Sequence, residues 1–335
     1  MLIHEQDSFF DLQPSARVAV DGIPYIVSKL ARGGMGFVLL LHKDTENAPS
    51  IPTAFGLKLA LKAMLPDSTD SEGIRLFKRE LTVWAPFRHP NIVSLLDILD
   101  GGDAGWVAAM DWCPGSLRDI LNERGKLPLK EATLIIGNII EGLNYAYDRD
   151  KILHLDLKPE NILYDIDISR LMENCSTSND TLHMTRFMLA DWGIASIKQR
   201  ELNAIAGLPP SSDSIAKTLN NMGTLKYMSP ERFHKGFSSS IASDMFSLGM
   251  IYLEMLTGHL PFQNSINPVL NLKSGQYLTV ANALLSNAKV PKSICEIIRF
   301  LIAFRLQDRP SDYNVLQSHL IRAYRKSHGF FSIFT

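Results

Sequence analysis

The run Ile152-Leu153-His154-Leu155-Asp156-Leu157-Lys158-Pro159-Glu160-Asn161-Ile162-Leu163 sets polar side chains between apolar ones. A core strand does not tolerate His154, Asp156, Lys158 and Asn161 in those places, whereas a structured loop at a site does. Farther on, Phe187-Met188-Leu189-Ala190 leads into Asp191-Trp192-Gly193, an acidic residue at a strand end before a turn glycine. That arrangement suits a ligand of Mg²⁺, which takes one or two carboxylates together with phosphate oxygens. Taken alone, each aspartate reads as a loop cap.

Two further groups come earlier in the chain. Leu30-Ala31-Arg32-Gly33-Gly34-Met35-Gly36-Phe37-Val38 is a glycine-rich turn between two β-like runs. Its glycines would let the backbone approach phosphate oxygens and offer N–H donors. A plain hairpin needs glycines in the same places. The next strand, Leu57-Lys58-Leu59-Ala60-Leu61-Lys62, alternates, so Leu57, Leu59 and Leu61 share one face and Lys58, Ala60 and Lys62 the other. Small Ala60 leaves room for a flat base and Lys62 can reach phosphates; a solvated lysine face is the other account. In Leu76-Phe77-Lys78-Arg79-Glu80-Leu81-Thr82-Val83-Trp84, the apolar stripe is Phe77, Leu81 and Trp84, and Glu80 falls on it. An inward carboxylate needs a cation, for which Lys62 is the candidate; solvation at the stripe's edge is the alternative.

The elements that must position these groups change character along the chain. Residues 1 to about 22 have weak periodicity, and Pro24 to Leu30 alternates as a strand should. From there to Cys113 the apolar segments are short and β-like, with one helical stretch near residues 71 to 87; beyond Cys113 helical patterns dominate. The expected organisation is therefore an extension over 1–22 and a folded domain over 23–325. That domain has a β-rich lobe over about 23–112 and a helical lobe over about 113–325, followed by a tail over 326–335. Asp167 to Thr185 and Gly207 to Ser214 are polar, turn-rich and loop-like.

At 335 residues, with 46% hydrophobic and 21% charged side chains, the composition is that of a globular protein. A net charge of -1 gives no field that would draw the whole protein to nucleic acid or to an acidic membrane. Cys113, Cys175 and Cys295 lie far apart and show neither metal-ligand spacing nor a disulfide framework. No stretch has the features of a signal peptide or a bilayer span, so the expected setting is cytoplasmic.

Taken in order, these motifs resemble the protein kinase family over nearly all of residues 24 to 325. Gly33, Gly36 and Val38 match its glycine-rich loop, Leu61-Lys62 its lysine strand, and Glu80 precedes His89-Pro90-Asn91-Ile92-Val93 as it does there. His154-Leu155-Asp156 with Asn161 is similar to the catalytic loop, and Asp191-Trp192-Gly193 to the metal-binding motif. Then come Gly223-Thr224-Leu225-Lys226-Tyr227-Met228-Ser229-Pro230-Glu231, Ser243-Asp244 with Ser247-Leu248-Gly249, and Asp308-Arg309-Pro310-Ser311.

The resemblance implies an α+β fold of two lobes and transfer of the γ-phosphoryl of ATP to protein substrates with the help of Mg²⁺. It implies that Asp156 accepts the substrate hydroxyl's proton and that Lys158 steadies the phosphoryl group. Lys62 would hold the α/β-phosphates and pair with Glu80, and Asn161 and Asp191 would hold the metal. The nucleotide site it implies comprises Leu30, Ala31, Arg32, Gly33, Gly34, Met35, Gly36, Val38, Ala60, Lys62, Met110, Asp111, Cys113, Leu163 and Asp191. Within that site Met110 controls the depth, and backbone groups of Asp111 and Cys113 face adenine. Lys158 and Thr224 resemble the serine/threonine branch. Glu231 with Arg309 matches a buried structural ion pair, Asp244 an anchor of the catalytic loop, and Trp84, Leu95, His154 and Trp192 a hydrophobic column.

Departures from the family pattern carry their own expectations. Ala31 stands where the first loop glycine usually is, and Trp192 where phenylalanine is usual. Leu155 stands in place of arginine, which removes the guanidinium that would clamp a phosphorylated activation segment. Phosphate on Ser211, Ser212, Ser214 or Thr218 is therefore expected to change the rate little. The intervals from Asn161 to Asp191 and from Asp191 to Glu231 are long for the family.

Overall fold

The computed structural model describes residues 2–4, 8–32, 36–47, 55–64, 71–166, 185–192, 223–234, 239–261 and 268–328. Gly33, Gly34, Met35, Cys175, Gly193, Ser211, Ser212, Ser214, Thr218 and nearly all of both loop-like stretches lie outside the described residues. The chain divides into two compact units, Met1–Pro114 and Gly115–Thr335.

Among the described residues the first unit is an antiparallel sheet with one α-helix, α1 (Ser71–Trp84). Its strands are β1 (Leu2–His4), β2 (Arg17–Val20), β3 (Ile23–Arg32), β4 (Gly36–Lys43), β5 (Lys58–Met64), β6 (Leu95–Asp100) and β7 (Trp106–Met110). They lie in the order β1-β2-β3-β4-β5-β7-β6. The sequence places residues 1–22 outside the folded domain, and the structure corrects this. Strands β1 and β2 extend the sheet, and Phe9, Leu12, Val18 and Val20 are core residues. Phe9 and Phe10 pack their rings on Phe37, at 5.8 and 5.7 Å between centroids. Burying side chains of this size contributes roughly 1.5–3 kcal/mol each, which is why so short a segment is held.

Strand β5 also departs from simple alternation. Leu57 precedes the strand and is 68% exposed, while Leu59 through Met64 are all buried. With β4 on one side and β7 on the other, β5 is a central strand, and Ala60 and Lys62 on its second face are covered as well.

The second unit is helical around a small sheet of β8 (Gly115–Ser116), β9 (Ile162–Tyr164) and β10 (Phe187–Leu189), ordered β10-β9-β8. Its helices among the described residues are α2 (Leu117–Arg124), α3 (Leu129–Asp150), α4 (Ile241–Thr257), α5 (Pro268–Ser274), α6 (Tyr277–Asn287), α7 (Lys292–Leu301) and α8 (Tyr313–His328). Helix α8 runs three residues past the expected domain end at 325. Every residue of α4 is buried, so it is the axis on which α3, α6 and α7 pack. Gly249 makes that packing possible: a Cβ there would sit 2.6 Å from both Leu301 Cβ and Ile302 Cγ2.

Candidate active site

In the first unit, Lys62 and Glu80 meet. The Lys62 ammonium donates to Glu80 Oε1 at 2.9 Å, and both residues are buried, at 7% and 5% exposure. The amphipathic pattern of α1 brings this about, because Phe77, Leu81 and Trp84 turn the same face inward. Of the two accounts of Glu80, pairing wins over solvation. A Cβ at Gly36 would come within 3.3 Å of Lys62 Cε, so glycine at that place lets β4 lie against the lysine stem. Ala60 faces Leu40 and Lys62 faces Val38 across β4 and β5. Leu30 and Val38 are half-buried, Ala31 is exposed, and Ala31 pairs with Val38 and Arg32 with Phe37 in the β3–β4 hairpin. Met110 ends β7 and is buried, as is Cys113. Asp111 is tied to Ser94 twice: its N–H donates to the Ser94 carbonyl at 3.1 Å, and its Oδ2 accepts from Ser94 N–H at 2.9 Å. Its backbone N–H is thereby spent on the Ser94 carbonyl. Trp84 is fully buried with its indole N–H on the Val93 carbonyl at 2.5 Å, and Leu95 is buried.

In the second unit, residues 152–158 form an irregular loop that ends in the turn Pro159–Asn161. The loop is anchored from below by Asp244, whose Oδ2 accepts from His154 N–H at 2.9 Å and whose Oδ1 accepts from Leu155 N–H at 2.7 Å. The Tyr313 hydroxyl donates to the same carboxylate at 3.1 Å. Burial pushes the Asp244 carboxyl above its ordinary range, and His154 together with these donors opposes the shift. Asp156 is 1% exposed. Its Oδ2 accepts from Asn161 Nδ2 at 3.0 Å and faces Lys158 Nζ at 3.3 Å. Asn161 Nδ2 also donates to the Asp156 carbonyl at 2.9 Å.

Asp191 is brought to the same loop by β10. The Ala190 N–H donates to the Asn161 carbonyl at 3.0 Å, and the Ala190 carbonyl lies 3.0 Å from His154 Nε2. Leu163 in β9 pairs with Met188 in β10 and with Ser116 in β8. His154 and Trp192 are both fully buried, with ring centroids 4.8 Å apart. Leu155 and Asp191 have φ of 59° and 64°. That left-handed region costs a non-glycine residue about 1–2 kcal/mol, strain that the surrounding bonds must hold.

His154 yields a pH prediction. Asp156 N–H donates to its Nδ1 at 3.3 Å and Nε2 faces the Ala190 carbonyl, which together select the neutral ring with the proton on Nε2. Burial depresses its pKa below the ordinary 6.5, against the pull of Asp244 and Asp156. The neutral ring's contribution is complete above the unfolded value and is lost as pH falls toward the folded one. Unfolding free energy should therefore drop below pH of about 6.5, by up to about 1.4 kcal/mol per pH unit from this group. Denaturation of wild type and His154→Phe between neutral and mildly acidic pH checks it. Identical slopes in the two proteins would count against a neutral His154.

The scaffold pair is present as well. Arg309 and Glu231 form a two-pronged bridge, at 2.8 and 3.0 Å. Two features have no signature in the local sequence. Arg118 binds Glu160 at 3.0 Å and Glu254 at 2.9 Å and also donates to Tyr227, whose hydroxyl donates to Glu254 at 2.5 Å. Arg232, in the turn Pro230–Phe233, is 2% exposed and donates from Nη1 to the Leu155 carbonyl. The guanidinium absent at position 155 is thus supplied to the loop from another segment.

A profile described as "Protein kinase domain" matches residues 27–321. The chain belongs to the protein kinase family. The serine/threonine-protein kinase PrkC of Bacillus subtilis is 31% identical to this kinase-family chain over 243 residues, covering 72% of it and 32% of PrkC. The probable serine/threonine-protein kinase PknB of Lactococcus lactis is 26% identical over 290 residues, 86% of this chain and 40% of that protein. A carbon catabolite-derepressing protein kinase of Candida tropicalis is 28% identical over 285 residues, 83% of this chain and 38% of its own length. The kinase-family chain therefore spans well under half the length of these relatives. Its β-rich first unit and helical second unit are those of the α+β kinase fold. Among the described residues no helix is long and apolar enough to cross a membrane.

Proposed function

We propose that the chain is a cytoplasmic, ATP-dependent serine/threonine protein kinase that transfers the γ-phosphoryl of MgATP to Ser and Thr hydroxyls of protein substrates. The observation that carries the reading is the setting of Asp156: a buried carboxylate held by Asn161 and Lys158, on a loop pinned by Asp244. In this reading Asp156 accepts the hydroxyl proton and aims the oxygen, while Lys158 steadies the transferred group. Lys62, kept in place by Glu80, holds the α/β-phosphates. Leu30, Val38, Ala60 and Met110 of the first unit offer apolar surface to the base, a role that the family resemblance also assigns to Leu163. The Asp111 carbonyl and the Cys113 backbone offer it hydrogen bonds. Cys113 and Cys295 are buried thiols, which suits a reducing compartment.

The residues present fit a magnesium ion. Asn161 spends both amide protons on Asp156, so its oxygen is the donor that remains, and Asp191 adds a carboxylate. Among the described residues there is no cluster of three or more His, Cys, Asp and Glu side chains to cage a metal. A set of few oxygen donors, completed by phosphates, is what Mg²⁺ prefers. Bound by Asn161 and Asp191, it would neutralise charge on the phosphates.

The test is incubation of the purified chain with labelled MgATP and a generic protein substrate, beside Asp156→Asn. Label is expected on Ser and Thr with the wild type, and only a small residue of it with the variant. Equal labelling by the two proteins, or none by either, would sink the reading and leave a kinase-like scaffold.

A further inference from the structure

Leu155 is gripped from both sides. Its N–H donates to Asp244 Oδ1 at 2.7 Å, and its carbonyl accepts from the buried guanidinium of Arg232. Its backbone is left-handed, a conformation that leucine leaves when unsupported. The peptide carrying that carbonyl is the one that enters Asp156, so its rotation is a rotation of the Asp156 backbone. The N–H of that peptide donates weakly to His154 Nδ1, at 3.3 Å, and the charge-assisted bond from Arg232 holds the opposite edge of the same plane at its carbonyl. The cost of burying Arg232 is opposed by the carboxylates of Asp156, Asp244 and Glu231, which all act on its charge. The guanidinium therefore belongs electrostatically to the same cluster that it holds.

We propose that Arg232 is a positioning residue for Asp156, and that its directed bond to the Leu155 carbonyl fixes the peptide from which the catalytic carboxylate is aimed. The inference rests on the kinase reading above. Arg232 acts on the backbone that carries Asp156, so its loss should act on turnover and spare nucleotide affinity.

Steady-state kinetics with MgATP and a protein substrate test it. Arg232→Met is expected to lower kcat about 10²-fold, the usual effect of a displacement on the order of 1 Å at a reacting group, with KM for ATP within about twofold of wild type. Arg232→Lys keeps the charge without the planar fork and is expected to fall in between, about tenfold down. Circular dichroism and thermal unfolding establish that each variant is folded; if the methionine variant is not, the lysine variant decides. A folded variant with wild-type kcat overturns the proposal, and so does one whose KM rises in step with the fall in kcat. Should neither variant fold, Arg232 is structural support only and the proposal falls. A wild type that transfers no phosphate overturns the kinase reading itself, and this inference with it.

Discussion

Asp156→Asn is expected to lower kcat for phosphoryl transfer by about 10²–10⁴-fold while leaving the KM for MgATP within a few-fold. The substitution is informative because the loop can survive it. Two partners of the side chain, Asn161 Nδ2 at 3.0 Å and Lys158 Nζ at 3.3 Å, address the same oxygen, Oδ2. An asparagine amide can put its own oxygen there and satisfy both. What it cannot do is accept a proton from a hydroxyl. Asp156→Ala, by contrast, would leave two donors facing a void and confound loss of the base with loss of the loop. Single-turnover and steady-state rates for Asp156→Asn, with nucleotide affinity measured separately, check the expectation. A variant within tenfold of wild type in kcat would mean that Asp156 carries little of the chemistry.

The residues proposed for this work are legible in the sequence because each breaks a local rule. His154, Asp156, Lys158 and Asn161 interrupt an apolar run, and the structure gives each of them a partner inside unit two. Glu80 falls on an apolar stripe and is found on Lys62. A conflict between pattern and residue type is a signal that needs no knowledge of the fold.

What the sequence hides are features whose cause lies elsewhere in the chain. Strand β2 is four residues long, too short for alternation to stand out, and it forms because β3 offers an edge and Phe9 and Phe10 find Phe37. Leu57 reads as core from its neighbours, yet the strand starts one residue later and leaves it outside. Arg232 follows Pro230-Glu231 like any surface arginine, and only the fold shows that its guanidinium ends under Leu155. Periodicity reports which face of an element turns inward; it does not report which distant backbone a buried cation will find.

Arg309→Met is expected to destabilise the second unit by about 3–5 kcal/mol, more than Glu231→Gln at its partner. The asymmetry follows from the hydrogen-bond inventory. A guanidinium has five N–H donors, and all five of Arg309's are used. Nη1 and Nη2 serve the two oxygens of Glu231 at 2.8 and 3.0 Å, Nη1 also the Ala242 carbonyl at 3.1 Å, Nη2 the Phe304 carbonyl at 3.1 Å, and Nε the Ala303 carbonyl at 2.7 Å. The guanidinium also lies over the Phe246 ring, 4.9 Å from its centre, and the side chain has no exposure at all. Methionine matches the length of the stem and none of the donors, so a carboxylate and three carbonyls lose their partner together. Glu231 is less enclosed, with 14% of its side chain exposed, and the Ser243 hydroxyl still donates to it at 3.2 Å. Glu231→Gln keeps an acceptor for Arg309 and should cost only about 1–2 kcal/mol. Urea denaturation of both variants measures the difference. If the two changes cost the same, Arg309 acts merely as the counter-charge of Glu231, and its bonds to the three carbonyls contribute nothing to holding α4 against the segment before α8.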